Sequence, residues 1–418
     1  VKKAAIMITP MNWMSAFRSS FSCEKNKKMS CKALIKGPGT ALTRIKTRFG
    51  LVTFLLCWLA LSIGCKSEKA MPVKAQGPQE LLMPDTGAYT GAYVDFGEGE
   101  DDVTYDAITD FAQMTGKNLA IVAFGNFWGE QAFPLRNLNI VSGYGAIPLV
   151  FWSPWDKPYE ESRGKDRYNL YEILAGKWDS YIDQWADAAR EYGKPILVSW
   201  CLEMNGTWFP WSGVFYGGGK ITGQKDGSPL YAGPELVKQA YRYVVDRVRA
   251  RKATNILWGF HTNHATFPDT PWNRMNQYYP GTEYVDWLGL SSYGKISKTL
   301  NWGSFFNVTD AAYQEICQLD PRKPLILAEW GVGEYPPHNK AAFISQAFLD
   351  MQTKYPRIKA AVFWHERWEN ADGSHSNLRV NSSPEALDAY RNGVANPYWI
   401  DRPQFRRWQN TEQQSEKK

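Results

Sequence analysis

An α/β fold of the (β/α)8, TIM-barrel type is what this sequence predicts, on three observations. Eight short runs are apolar almost from end to end, as parallel strands covered on both faces must be. Amphipathic helical stretches stand between them. The alternation fills residues 89–413, about the size of one barrel domain. An open doubly wound sheet is the competing topology, which strand count alone does not exclude.

The strands are expected at GAYVDF (91–96), NLAIVAFGNF (118–127), AIPLVFW (146–152) and PILVSWCLE (195–203), then at NILWGFHTN (255–263), YVDWLGLSSY (284–293), PLILAEWG (324–331) and IKAAVFWHE (358–366). In TYDAITDFAQMTG, Ala107, Phe111 and Met114 share a helical face and Gly116 ends it. Ile182, Trp185, Ala189 and Tyr192 do the same before Gly193. Pro234 opens a helix striped by Leu236, Ala240, Tyr243 and Val244. A helix over NKAAFISQAFLDMQTKY stops before Pro356. Ser383, Pro384 and Glu385 form the start of another, as N-cap, first residue and dipole partner. The helix near 133–144 is the one poorly marked by pattern.

Residues 1–65 read as a basic leader. Lys46 and Arg48 precede LVTFLLCWLALSIG (51–64), a run short for a bilayer span and suited to a secretory signal. It ends in Leu61-Ser62-Ile63-Gly64-Cys65, which resembles a bacterial lipoprotein cleavage box with Cys65 as the lipidated residue. Residues 66–88 are polar with Pro and Gly and read as a tether. The expected location is the cell envelope, lipid-anchored or secreted, with the membrane reached only through that anchor. The net charge of +6 belongs to the leader. Of 48 basic and 42 acidic residues, 13 and 2 lie in the first 70, leaving 35 against 40. A nucleic-acid partner is therefore excluded as a reading of the basic balance. Cys201 and Cys317, in an apparent strand and helix, read as buried thiols and not as a disulfide framework.

Two carboxylates carry the chemistry. Glu203 closes the fourth strand in WCLEMNGTWFPW, and Glu329 closes the seventh in LILAEWG. In a barrel both would reach the mouth formed by the strand C-termini. Such a pair can break a glycosidic bond with retention when the two carboxyl groups stand about 5–5.5 Å apart. Glu203 is assigned as general acid/base and Glu329 as nucleophile. A structural ion-pair role for each is the bland alternative. Tyr293, ending the sixth strand, could donate to Glu329 or merely cap the rim. Asn205 could bind a hydroxyl or shape its turn. Trp128, Trp152, Trp155, Trp208, Trp211, Trp330, Trp364 and Trp368 follow strand ends, where indoles can stack on sugar rings. His261 and His264 in HTNH are too poor in partners for a zinc site, and His261 is expected in the cleft. No metal or cofactor is expected, and a monomer is.

With those residues in view, the chain resembles glycoside hydrolase family 26 from about Gly91 to Trp399. The resemblance rests on Glu203-Met204-Asn205-Gly206 with Trp208-Phe209-Pro210-Trp211, on Tyr279-Pro280-Gly281 before Val285-Asp286-Trp287-Leu288-Gly289, on Ala328-Glu329-Trp330-Gly331, and on Ser382-Ser383-Pro384-Glu385-Ala386-Leu387. It implies a retaining barrel enzyme acting on a polysaccharide, mannan first, with Glu203 as acid/base, Glu329 as nucleophile, and Trp208, Tyr293 and Trp364 around the sugars. Mixed-linkage β-glucan and β-1,3-xylan are the alternatives. A non-catalytic glycan-binding lipoprotein is the alternative of another class. One departure stands out: mannanases of that family usually carry His before the acid/base and Arg three places earlier, where this chain has Leu202 and Ser199.

Overall fold

A computed structural model describes residues 79–97, 99–156, 167–370 and 372–407. Eight parallel strands follow one another in chain order: β1 (Ala88–Tyr93), β2 (Ile121–Phe127), β3 (Ile147–Ser153), β4 (Ile196–Trp200), β5 (Ile256–Asn263), β6 (Trp287–Tyr293), β7 (Leu325–Gly331) and β8 (Ile358–Trp364). β8 returns to β1, with Ala360 opposite Tyr89 and Trp364 opposite Tyr93. That closure rules out an open sheet and makes the fold a (β/α)8 barrel. The strands are buried on both faces, which is why their sequences are continuously apolar.

The outer layer is α1 (Tyr105–Thr115), α2 (Leu135–Tyr144), α3 (Asp179–Tyr192), α4 (Ala232–Ala250), α5 (Met275–Tyr278), α6 (Phe305–Leu319), α7 (Lys340–Thr353) and α8 (Pro384–Ala395). Gly116 closes α1 at φ +73°, and the Ser383 hydroxyl caps α8 by accepting from Ala386 N–H at 3.2 Å. The poorly marked α2 is a regular helix. Its pattern is blurred because Asn137 sits at a buried position, where its side chain donates to the Asp101 carbonyl at 2.6 Å. The fifth helix is the reduced one, a single turn in a segment interrupted by Pro268, Pro271 and Pro280.

Several strand boundaries differ from expectation by one to three residues, β2 and β6 each starting three residues later than expected. β1 begins three residues earlier than 91, and β4 stops at Trp200, so Cys201 and Glu203 lie in the loop beyond it. Alternation of side chains also moves several tryptophans. Glu329 points inward, so Trp330 points out and packs edge-on against Phe305, Phe348 and Phe363. Trp152 stacks on Trp185 of α3 at 4.2 Å, and Trp128 is fully buried beside it. These three join barrel to helices and do not line the mouth.

Inside the barrel, Trp287 is accommodated by Gly259 and Gly289. A Cβ on Gly259 would lie 2.1 Å from the indole, and one on Gly289 would lie 2.8 Å from both Trp287 and His261. At the base, Gln79–Leu82 pairs antiparallel with Gln404–Arg407, and Trp399–Ile400 adds to the start of β1. The folded body therefore begins within the stretch expected as a tether. Cys65 and the apolar run before it lie outside the described residues. Among those described, no helix is long and apolar enough to cross a membrane. Cys201 is buried and Cys317 half-buried, with no disulfide between them.

Candidate active site

Glu203 is held by a sharp turn. Cys201 and Glu203 both adopt φ +52°, a left-handed backbone uncommon for residues with a side chain. The turn ends the β4 ladder but re-attaches to β5, where Glu203 N–H donates to the His261 carbonyl at 2.8 Å. Asn205 fastens it further. Its side chain donates to the Asn263 carbonyl and accepts from the Asn263 N–H, both at 2.9 Å. Asn205 is fully buried, so its side chain shapes the loop and does not face the cleft.

The carboxyl of Glu203 accepts from two donor-only groups. Asn263 Nδ2 donates to Oε1 at 2.8 Å, and Trp208 Nε1 to Oε2 at 2.6 Å. Asn263 is aimed by Ala265 N–H, which donates to its Oδ1 at 2.9 Å. Sequence reasoning passes over Asn263, in the HTNH run, by attending to its histidines. Its signal is its place at the last residue of β5, facing inward in step with His261.

Glu329 leaves β7 opposite Ser291 of β6, at a local irregularity in the β6–β7 register. Tyr293 donates its hydroxyl to Glu329 Oε2 at 2.7 Å. A carboxylate oxygen of Glu203, one of Glu329 and a ring nitrogen of His261 all lie within 4.8 Å of one another. Burial raises the pKa of Glu203, against the donors Ser291, Asn263 and Trp208, which lower it. Burial also raises Glu329 well above the usual carboxylate range, the charge of Glu203 adds to this, and the Tyr293 hydroxyl opposes it. Two carboxyls this close in a dry site cannot both ionise readily, so ionisation of Glu203 pushes the pKa of Glu329 further up.

His261 could complete a three-ligand metal cluster by distance alone. Both its nitrogens are already engaged, Nδ1 with Ser199 Oγ at 3.0 Å and Nε2 with Ser291 Oγ at 2.7 Å. It is fully buried, and burial lowers its pKa to about 3, so the ring is neutral. The structure puts it beneath the floor of the site, where the sequence pattern points to the cleft itself.

The aromatic residues form two groups. Trp364 stacks on Tyr93 at 4.1 Å and donates its indole N–H to Glu366 at 2.6 Å, on the β8–β1 side. Burial and Glu100 raise Glu366 to about 8. On the Glu203 side, Trp208 meets the exposed Phe267 edge-on at 5.8 Å, and Trp155 stands edge-on to the stacked pair Phe209 and Trp211. Trp211 is buried, its N–H on the Leu202 carbonyl at 2.7 Å, and supports the others from behind.

A closed barrel with two carboxyls a few ångströms apart at its mouth, flanked by indoles, belongs to the glycosidase class of (β/α)8 proteins. Residues 161–329 match the family model of glycosyl hydrolase family 26. Endoglucanase H of Acetivibrio thermocellus is 32% identical over 323 residues, covering 76% of this chain and 31% of that protein. A mannan endo-1,4-β-mannosidase of Bacillus subtilis is 26% identical over 250 residues, 59% of each chain. The catalytic domain of the Bacillus sp. JAMB-750 GH26 endo-β-1,4-mannanase is 18% identical with a TM-score of 0.54, covering 79% of this chain and 96% of that one, a likeness of fold. This chain belongs to glycosyl hydrolase family 26. It spans 31% and 59% of the length of the two curated relatives just named.

Proposed function

We propose that the barrel is a retaining endo-β-glycanase. The observation that carries this reading is the gap between Glu203 and Glu329, whose nearest oxygens stand within 4.8 Å. An inverting pair needs about 6.5–9.5 Å to admit a water between carboxyl and sugar. The reactive form of the site carries one proton between the two groups. A bound glycan presents its glycosidic oxygen to Glu203 and its anomeric carbon to Glu329, which draws the proton onto Glu203. Glu203 then protonates the leaving oxygen while Glu329 attacks. The C–O bond to the aglycone breaks as the glycosyl ester forms. Esterification removes the charge of Glu329, the pKa of Glu203 falls, and Glu203 takes a proton from the water that cleaves the ester.

Tyr293 holds Oε2 of Glu329 and leaves Oε1 to the reaction. Trp208, half-buried, is the leading sugar-stacking candidate, on the leaving-group side because it touches the acid/base, whereas Trp155 and Trp364 are buried and expose only an edge to a bound glycan. Mannan is the first substrate, supported by the mannosidase among the relatives. Mixed-linkage β-glucan is the second, favoured by Leu202 and Ser199 and by the endoglucanase at 32% identity. Envelope location through Cys65 remains part of the reading, and labelling with a radioactive fatty acid tests it.

The deciding experiment incubates the protein and Glu329→Ala with mannan, galactomannan, lichenan and β-1,3-xylan. Reducing ends should appear for the parent alone, with the anomeric configuration kept. Equal product from the variant, or no product from the parent, removes the reading and leaves a glycan-binding role.

A further inference from the structure

The chain buries a line of three polar side chains under the acid/base that direct catalysis does not use. Ser199 on β4, His261 on β5 and Ser291 on β6 are each fully buried, on three neighbouring strands. Ser199 Oγ meets His261 Nδ1 at 3.0 Å, and His261 Nε2 meets Ser291 Oγ at 2.7 Å. The ring of His261 brings a nitrogen within 4.8 Å of a Glu203 carboxylate oxygen, and the Ser291 hydroxyl held on that ring acts to lower the pKa of Glu203.

The direction of this line follows from counting protons. A neutral imidazole has one N–H and one bare nitrogen. The Ser291 hydroxyl has a single proton. If His261 Nε2 were bare, that proton would go to the ring and Glu203 would lose a donor. If Nε2 carries hydrogen, Ser291 accepts from the ring and donates to Glu203. The bare Nδ1 then accepts from the Ser199 hydroxyl. Only this second arrangement serves the ionised carboxylate. The ring cannot respond to pH itself, since burial holds it neutral far below neutrality. Its surroundings are Phe151, the indole of Trp287 below and the carboxyls of Glu203 and Glu329 above.

We propose that Ser199, His261 and Ser291 form a fixed hydrogen-bond relay that positions and tunes Glu203, with His261 as its Nε2–H tautomer. The proposal rests on Glu203 being the acid/base. The three residues touch no sugar, so they are positioning residues. They also give the departures at 199 and 202 a physical sense. A long side chain at 199 would fill the space from which the small hydroxyl reaches the ring. Leu202, almost fully buried, brings no polar group of its own to the acid/base.

The relay makes a demand that plain packing does not. A donor to the ionised form lowers a carboxyl pKa, so losing it raises that pKa. The alkaline limb of kcat/KM, which reports the protonated acid in the free enzyme, should move to higher pH by about one unit in Ser291→Ala. His261→Phe should move it the same way by less, because an unaimed Ser291 still donates part of the time. The double variant should match Ser291→Ala alone, since the ring acts only through that hydroxyl. His261→Gln, whose amide N–H can replace Nε2–H, should restore the limb. KM should stay near the parent value throughout. On a glycan substrate kcat should fall about tenfold, while a dinitrophenyl glycoside, whose leaving group needs no proton, should lose little.

Additive shifts, a limb that stays in place, or losses confined to KM overturn the relay while leaving the glycanase reading intact. Should His261→Phe fail to fold, Ser291→Ala with His261→Gln makes the same test. A parent protein inactive on every glycan sinks the underlying reading, and the relay with it.

Discussion

Replacing Tyr293 with Phe removes one atom from the site and tests the nucleophile directly. The hydroxyl donates to Glu329 Oε2 at 2.7 Å, in a buried setting where burial and the charge of Glu203 both resist ionisation. A hydrogen bond to a charged group contributes about 1.5–3 kcal/mol. If the attacking carboxylate loses that amount, kcat/KM falls about ten- to a hundredfold. The same energy corresponds to a rise of about one to two units in the pKa of the group. The sign is fixed, because the donor favours the ionised form and its loss disfavours it. The acidic limb of the kcat/KM profile therefore moves to higher pH, and the optimum narrows from the acid side. The assay is initial reducing-end release across the pH range where the parent stays folded, with a melting curve at each end. Phe keeps the ring, so Tm should drop by no more than about 5 °C. A variant with an unmoved acidic limb and a rate within twofold of the parent would refute the assignment of Glu329 as the attacking group.

Two further predictions concern stability. Glu329→Gln should be more stable than the parent at pH 8, with the difference closing near pH 4. The folded-state pKa of Glu329 is raised, so its contribution is full below the unfolded value and is lost as pH rises. The amide never ionises and does not suffer that loss; urea melts at the two pH values read the gap, and equal gaps at both would contradict it. Gly259→Ala should destabilise by about 3 kcal/mol, since its methyl would lie 2.1 Å from the Trp287 indole. Gly143→Ala on α2 is the control, with nothing within 4 Å of its methyl, and should stabilise slightly.

The barrel was legible because burial on both faces forces an unbroken apolar run, which no exposed element imitates at that spacing. The pair Glu203 and Glu329 was legible because charge is costly at the end of such a run and is kept there only for a reason. What escaped was local geometry. Cys201-Leu202-Glu203 reads as strand by hydrophobicity, but a positive φ at both ends of the triplet turns the chain out of the ladder. Trp128, Trp152 and Trp330 read as mouth residues by position, but alternation sends Trp152 and Trp330 to the helices, and Trp128, in the turn after β2, packs beside Trp152 and Tyr181. Asn137 hid α2, because a buried amide looks like a break in an apolar stripe. Ser199 looks like the loss of a polar partner until its hydroxyl is seen holding the ring of His261.

The small antiparallel pairing of Gln79–Leu82 with Gln404–Arg407 fixes where the chain enters and leaves. Both passages lie at the pole where β1 starts, opposite the pole that carries Glu203 and Glu329. A tag fused at either passage would be attached at the pole away from the two carboxyls. The rim that carries Glu203 and Glu329 is thereby set apart from both attachment points.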